Sequence, residues 1–439
     1  MKNVLRAGLT GDRRGTRGNK GNRQGIASKA IACPGYAGNL HKSTQLLALQ
    51  TREFACFARF FDIYTLSDSL PAPASATAPL PRWSVIAPLI GWLLLGTTQL
   101  NLNLSGGLDL LYSMLLAAGL FASVLAAVHH AEVVAHRVGE PYGTLVLALA
   151  VTVIEVALIV SLMLAGGPST SALARDTVFA AVMIILNGMV GLCLLMGASR
   201  FKEQTFGLYG VSASLATLAA IAVLTLVLPN YTTSVPGPAY SASQLAFIAV
   251  VALVLYGMFV LVQTVRHRDY FLPSHAVGDE EVHAAPPSNK AAGISALLLL
   301  LCLVAVVLLA KGLAPVIEAT VAAMGAPKAL VGVIIAAVVL LPEALAALRA
   351  ARANRLQTSL NLALGSALAS IGLTIPAVAI VSLLTGWTLT LGLDTKSSVL
   401  LLLSLFVASL SLGTGRTTVL QGTVHLVIFA VYLFTTIVP

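Results

Sequence analysis

The sequence predicts an all-α polytopic membrane protein of about eleven transmembrane helices, one leading helix followed by two inverted five-helix repeats. Three observations predict it: the composition, the recurrence of long apolar runs, and a residue pattern that occurs twice. Of 439 residues, 57% are hydrophobic and only 10% are charged. A soluble domain carries about 25% charged residues, so most of this chain is matched to an apolar solvent.

The first segment, residues 1–82, is set apart by charge. It holds 12 of the 26 Lys and Arg and 4 of the 17 acids, a net +8 out of +9, which leaves the remaining chain at +1. Arg13, Arg14, Arg17, Lys20 and Arg23 alternate with Gly and Asn, a composition that cannot bury a core and reads as a disordered basic tail. No short charged stretch followed by an apolar run marks it as a signal peptide. Because the basicity is local to this tail, the net charge does not announce a nucleic-acid partner, and none is expected. Cys33 and Cys56 fall in the tail and Cys193 and Cys302 in apolar runs, without metal-type spacing.

From Pro81 onward, runs long enough to cross about 30 Å of hydrocarbon recur to the end of the chain. They cover 84–100, 108–128, 142–165, 177–197, 208–228, 243–264, 293–309, 329–348, 360–384, 397–412 and 419–438. The longest hydrophilic interval among them, 266–291, carries Asp279, Glu280 and Glu281 beside Pro286 and Pro287 and reads as a cytoplasmic linker. It separates a first half, 83–265 with the leading helix, from a second half, 292–439. With the tail placed inside, the inner loops hold Arg137, Arg200, Lys202, Arg266, Arg268, Lys290, Arg349, Arg352, Arg355 and Arg416, against Arg175, Lys311, Lys328 and Lys396 outside. That asymmetry predicts a cytoplasmic N-terminus and a C-terminus on the periplasmic side.

The two halves match at residue level. Glu132, Gly139 and Pro141 recur with the same spacing as Glu318, Gly325 and Pro327, and each set is followed by an apolar span with one glutamate, Glu155 or Glu343. The second glutamate lies five spans after the first, an odd number, so the copies have opposite orientations. Inverted repeats place a substrate site near the midplane, where interrupted helices expose backbone oxygen.

Neither glutamate has a Lys or Arg in its run. An ionised carboxylate at the bilayer centre costs about 2.5–3.5 kcal/mol even on the most forgiving scale, so it is protonated or holds a cation. A group that alternates between those states is the working part of a cation/proton exchanger. Pro342, directly before Glu343, deprives the Val338 carbonyl of its helical partner and frees an oxygen ligand. Thr152 lies one turn before Glu155, and the span after each glutamate adds Asn187 in the first half and Asn361, Ser366 and Ser370 in the second. These groups read either as ligands for a hard cation or as hydrogen bonds between helices. The glutamates read otherwise only as protonated groups between helices.

His129, His130, Glu132 and His136 form a second polar cluster. One reading makes it a vestibule that gathers cations or senses pH, with Glu318 as its counterpart in the other half. A rival reading is an intramembrane zinc enzyme using His129, Glu132 and His136, although the order of a helical zinc motif is missing. A third class, a passive cation channel, usually lines its whole path with repeated sites rather than one carboxylate per half.

The stretches Thr152-Val-Ile-Glu155, Leu341-Pro-Glu343 and Asn361-Leu-Ala-Leu-Gly-Ser366-Ala-Leu-Ala-Ser370 resemble the two alpha-repeats of the calcium/cation antiporter superfamily, and within it the bacterial ChaA-type sodium/potassium/calcium–proton antiporters. The resemblance runs from about Ser84 to the end. It implies eleven helices in the bacterial inner membrane, a central site built by the glutamates of both repeats, transported Ca2+, Na+ or K+ and H+ without a resident cofactor, and alternating access. The superfamily commonly has a polar residue three before each glutamate; Thr152 fits, whereas Leu340 stands at that place in the second repeat.

Overall fold

The computed structural model describes residues 81–98, 107–139, 142–272, 287–325, 327 and 329–438. The expected disordered tail up to residue 80 and the acidic part of the linker, 273–286, lie outside the described residues.

Twelve α-helices follow one another: α1 (Arg82–Thr98), α2 (Gly107–Val138), α3 (Tyr142–Gly166), α4 (Leu173–Met183), α5 (Val190–Phe201), α6 (Leu208–Ala222), α7 (Ala242–Leu261), α8 (Asn289–Ala323), α9 (Ala329–Arg352), α10 (Leu356–Thr385), α11 (Thr395–Leu412) and α12 (Val419–Ile437). A wide π turn, Ile184–Met189, joins α4 and α5 into one rod. Among the described residues nine helical spans are long and apolar enough to cross a membrane, and two shorter apolar stretches, Arg82–Gly96 and Ala148–Leu164, accompany them. Such segments are helical because hydrocarbon offers the backbone no partner, and a helix satisfies every N–H and C=O within itself. Leu89, Phe247, Leu300, Phe406 and Phe434 point outward and exposed, as helices apolar on all sides require of their surroundings. Polar residues mark the ends: Ser241 and Gln244 form a capping box at the start of α7, and Ser288 caps α8.

Hydrogen bonds between loops sort them onto two faces. On one face Arg137 Nε donates to Asn289 Oδ1 (2.7 Å), Gln204 Nε2 to the Ala351 carbonyl (2.9 Å), and the Phe206 amide to the Gly415 carbonyl (3.0 Å). Two short strands, β1 (Gln204–Thr205) and β2 (Arg416–Thr417), close the same face as an antiparallel clasp. On the other, the Thr390 amide donates to the Ser171 carbonyl (3.1 Å), Arg175 Nη1 to Gly392 (3.1 Å) and Lys396 Nζ to Thr435 (2.7 Å). Every one of these bonds joins loops that an up-and-down path, with the α4–α5 rod counted once, puts on the same side.

The apolar interior is two cores rather than one. The smaller takes Ala87 of α1, Leu116, Leu120 and Val124 of α2, Cys302, Val306 and Leu309 of α8, and the faces of α3 and α9 bearing Val151, Ile154 and Leu158 or Val331, Ile335 and Val339. The larger takes α4 to α7, α10 to α12 and the opposite faces of α3 and α9, with Ile159, Met163, Ala336 and Leu340. Thus α3 and α9 form the seam. On α9 the row Val331, Ile335, Val339 steps by one turn to Glu343, and on α3 Val151 steps to Glu155 and then to Ile159 of the other core, so both glutamates lie along that seam.

The repeat pattern is visible in the backbone. Gly139 (φ 78°) ends α2 and Gly325 (φ 66°) follows α8, both in the left-handed region that other residues enter at a cost. Two expectations need correction. Helices α3 and α9 are not interrupted, since α9 runs continuously through Pro342; losing one partner, that of the Val338 carbonyl, is not enough to break a helix held on both sides by the two cores. The irregular backbone lies instead in the wide turns Ile184–Met189, Val223–Val227 and Val262–Arg266. Helix α2 also extends ten residues past the expected Val128, so the histidine cluster is helical throughout.

Candidate cation site

Glu155 falls near the middle of α3 and Glu343 near the middle of α9, each only 3% exposed. They are brought together by α10. Ser370 Oγ donates to Glu155 Oε1 and Ser366 Oγ donates to Glu343 Oε2, both at 2.5 Å. The two serines are four residues apart and therefore share one face of the helix, so a single turn of α10 touches a carboxylate from each repeat. Held by hydroxyls one helical turn apart, the two glutamates would repel each other if both were ionised. Among the described residues no Lys or Arg forms an ion pair with either.

Two coupled carboxylates out of water, without a basic partner, cannot both stay charged and empty, because the cost of desolvating each ion adds to their repulsion. Protons relieve the site, and so does a hard cation held by carboxylate and hydroxyl oxygens. Protons and cation would use the same oxygens. That is the chemistry of exchange.

The remaining expected residues divide. Thr152 is buried one turn before Glu155, its hydroxyl donating back to the Ala148 carbonyl at 2.9 Å. Asn187 is fully buried but turned away from the glutamates: its Nδ2 donates to Ser404 Oγ (2.8 Å) and its Oδ1 meets His425 Nδ1 (3.2 Å). Asn361 accepts from Gln357 Nε2 (2.8 Å) and donates to the Phe271 carbonyl (2.5 Å), which ties α10 to the loop after α7. Ser404 and His425 were missed by the sequence reading. Each is a polar residue in an apolar span, the same signal that singled out the glutamates.

The histidine cluster does not converge. His130 is buried and tied to α1 and α8 through the Ser84 carbonyl (3.1 Å) and Ser295 Oγ (3.4 Å), His129 lies half-buried against Trp83 with ring centroids 5.3 Å apart, and Glu132 and His136 are exposed. Among the described residues no three His, Cys, Asp or Glu side chains are grouped to hold a metal ion. The residues are one helix, but its turns send their side chains to different neighbours. Glu318 occupies the equivalent position in α8.

The sodium/calcium exchanger protein family matches residues 108–265 and 294–438. The chain belongs to this family. Within it, y4hA of Sinorhizobium fredii is 50% identical over 365 residues, covering 83% of this chain and 98% of that protein. The sodium-potassium/proton antiporter ChaA of Escherichia coli is 38% identical over 325 residues, covering 74% and 88%. Two solved structures share the fold of this family member: an H+/Ca2+ exchanger, CAX (TM-score 0.61, 15% identity, 80% of this chain and 87% of that one), and native YfkE (0.59, 17%, 81% and 100%). The chain is therefore a ChaA-like membrane transporter of the calcium/cation antiporter superfamily and not an enzyme.

Proposed function

We propose that this transporter is a secondary active antiporter that exports Ca2+ and/or Na+ and K+ in exchange for H+ at a midplane site made by Glu155 and Glu343. The observation that carries the proposal is the pair of buried, unneutralised carboxylates, one from each repeat, joined through Ser366 and Ser370 on one turn of α10. Thr152 and the Val338 carbonyl add oxygen beside them. Asn187 and Asn361, engaged elsewhere, are not ligands in this arrangement.

Alternating access follows from the two cores. The α1, α2 and α8 unit has its own apolar interior and meets the rest of the chain along α3 and α9. Rocking of that unit against the larger body opens the seam to one face and then the other. Exposed Glu132 and His136 mark the mouth on the face rich in Arg and Lys, where they gather cations. By the positive-inside rule that face is cytoplasmic and the C-terminus periplasmic in the bacterial inner membrane.

The test is proton release from proteoliposomes when Ca2+, Na+ or K+ is added in turn. Cation-driven proton movement that needs both glutamates supports the reading. Cation flux without proton movement makes the chain a channel or an uncoupled carrier.

A further inference from the structure

The Asn187 amide belongs to a second buried polar group on the far side of the α4–α5 rod. Ser411 Oγ lies 2.8 Å from His425 Nε2, His425 Nδ1 lies 3.2 Å from Asn187 Oδ1, Asn187 Nδ2 donates to Ser404 Oγ at 2.8 Å, and Ser404 Oγ donates to the Leu400 carbonyl at 2.6 Å. Asn187, Ser404 and His425 are all 0% exposed. The donors fix the order of this chain: Asn187 gives its N–H to Ser404, so its oxygen accepts, and the neutral imidazole carries its proton on Nδ1 and accepts from Ser411 through Nε2. Each buried polar atom in it then has a partner, which is what burial demands. It is not a proton path, because it ends on a backbone carbonyl and passes through an amide.

What it holds is the wide turn Ile184–Met189, which contains Asn187 and touches α9 and α10 as well as α11 and α12. Wide turns of this kind lack the regular ladder and gather at functional sites. Next to this turn, α5 and α12 cross closely: a Cβ on Gly191 would come 2.8 Å from His425 Cβ, and one on Gly422 would come 2.5 Å from the Leu195 amide nitrogen. The buried stripe of α12 is Gly422, His425, Ile428 and Tyr432, and its other faces are exposed. The helix docks on the turn by that stripe, flanked by half-buried Leu426 and Phe429.

We infer that His425 is a positioning residue: through the Asn187 amide it sets the wide turn that backs α9 and α10, and with it the placement of Glu343 against Ser366. The effect belongs to the neutral hydrogen bond, not to titration. The side chains bonded to the imidazole, Ser411 and Asn187, are both uncharged; the ionisable groups on the elements packed around it are Cys193 of α5, Tyr432 of α12 itself and Glu343 of α9, with Asp176 and Arg175 at the start of α4 and Lys396 at the start of α11. As far as it is read through transport, the inference rests on the proposed exchange.

The test compares the full chain with His425→Leu, His425→Asn, Asn187→Ala and the double variant His425→Leu/Asn187→Ala. Asparagine reproduces the Nδ1 donor without a titratable ring. In proteoliposomes, His425→Leu and Asn187→Ala should each raise the cation half-saturation about tenfold, the scale of one buried hydrogen bond lost with its partner stranded. The double variant should be no worse than the worse single, and His425→Asn should stay within about twofold of the parent from mildly acidic to alkaline pH, since neutral geometry is all that it must preserve. Amide hydrogen exchange gives a readout that does not depend on transport: it should speed up over 184–189 and around Glu343 and Ser366 in His425→Leu, and not in His425→Asn. If His425→Leu does not yield folded protein, His425→Gln, which reaches Ser411 but not Asn187, takes its place. The inference is overturned if His425→Asn is as impaired as His425→Leu, if the single effects multiply in the double variant, or if exchange at the turn is unchanged. A parent protein that moves no protons would defeat the exchange reading, while the amide exchange would still decide this one.

Discussion

At the scale of single residues, the candidate site is defined by two carboxylates that no Lys or Arg among the described residues pairs with. Glu155→Gln and Glu343→Gln keep the shape of the side chain but can neither release a proton nor neutralise a cation, so each should abolish coupled exchange while the protein still inserts. Normal exchange by either well-expressed variant would remove that residue from the site. Ser366→Ala and Ser370→Ala remove one donor each and leave the carboxylates, so apparent cation affinity should fall by about tenfold, the lower end of the roughly 1.5–3 kcal/mol of a hydrogen bond to a charged group; an unchanged half-saturation in both would return these hydroxyls to the role of helix contacts. These four residues were legible in the sequence because a polar group in an apolar run needs a reason, and because the serines fall one turn apart. The direction of Asn187 was not. Helical spacing tells which side chains share a face only while the turn is regular, and the wide turn at Ile184–Met189 re-phases the rod at that position. Asn361 lies about 1.4 turns before Ser366, close to the start of α10, where the loop carbonyl of Phe271 takes its amide. His425 was within reach of the same reasoning as the glutamates but has no counterpart in the other repeat to draw attention to it.

At the scale of elements, the apolar runs placed the helices and missed how they end. Helix α8 extends from Asn289 to Ala323, well past both limits of its apolar run, because Ser288 caps it early and the helix continues through Pro315 until Gly325 turns the chain. The clasp of β1 and β2 has two residues per strand, too few for any period-2 pattern to show. Alternation of the rods is the property on which the inverted repeat depends, and it can be read by single cysteines in a background without the native four. Tyr231 is exposed between α6 and α7, on the face of Thr390, and Thr414 is exposed between α11 and α12, on the face of the clasp. A membrane-impermeant thiol reagent applied outside the cell should label Tyr231→Cys and spare Thr414→Cys. The opposite pattern would invert the assigned orientation without touching the repeat. Labelling of both from outside would break the alternation itself.

At the scale of the whole molecule, the proposed exchange makes the two apolar cores and the carboxylates on their seam one device, whose defining property would be competition. In that reading a cation and the protons that replace it share the same oxygens, so each would exclude the other by removing the charge or the space that the other needs. Binding free energies are reciprocal in such a linkage: if protonation weakens cation binding, cation binding must release protons. The sign is therefore determined. Cation half-saturation should rise as pH falls, by up to about tenfold per pH unit for each proton that has to leave, and level off where the empty site is already deprotonated. One proton per monovalent ion and two per divalent ion would keep the site neutral in either state, so the limiting slope for Ca2+ should be about twice that for Na+ or K+. The measurement is half-saturation against pH with equal pH on both sides of the vesicle, which removes the driving force and leaves only site competition. In Glu155→Gln or Glu343→Gln one competing proton is gone, and any residual cation binding, read by cation-dependent thermal stabilisation rather than by transport, should show a shallower dependence. Half-saturation that ignores pH from mildly acidic to alkaline conditions would sink the shared site, because no arrangement of common ligands permits it, and would leave a channel or a separately gated carrier to explain the paired glutamates.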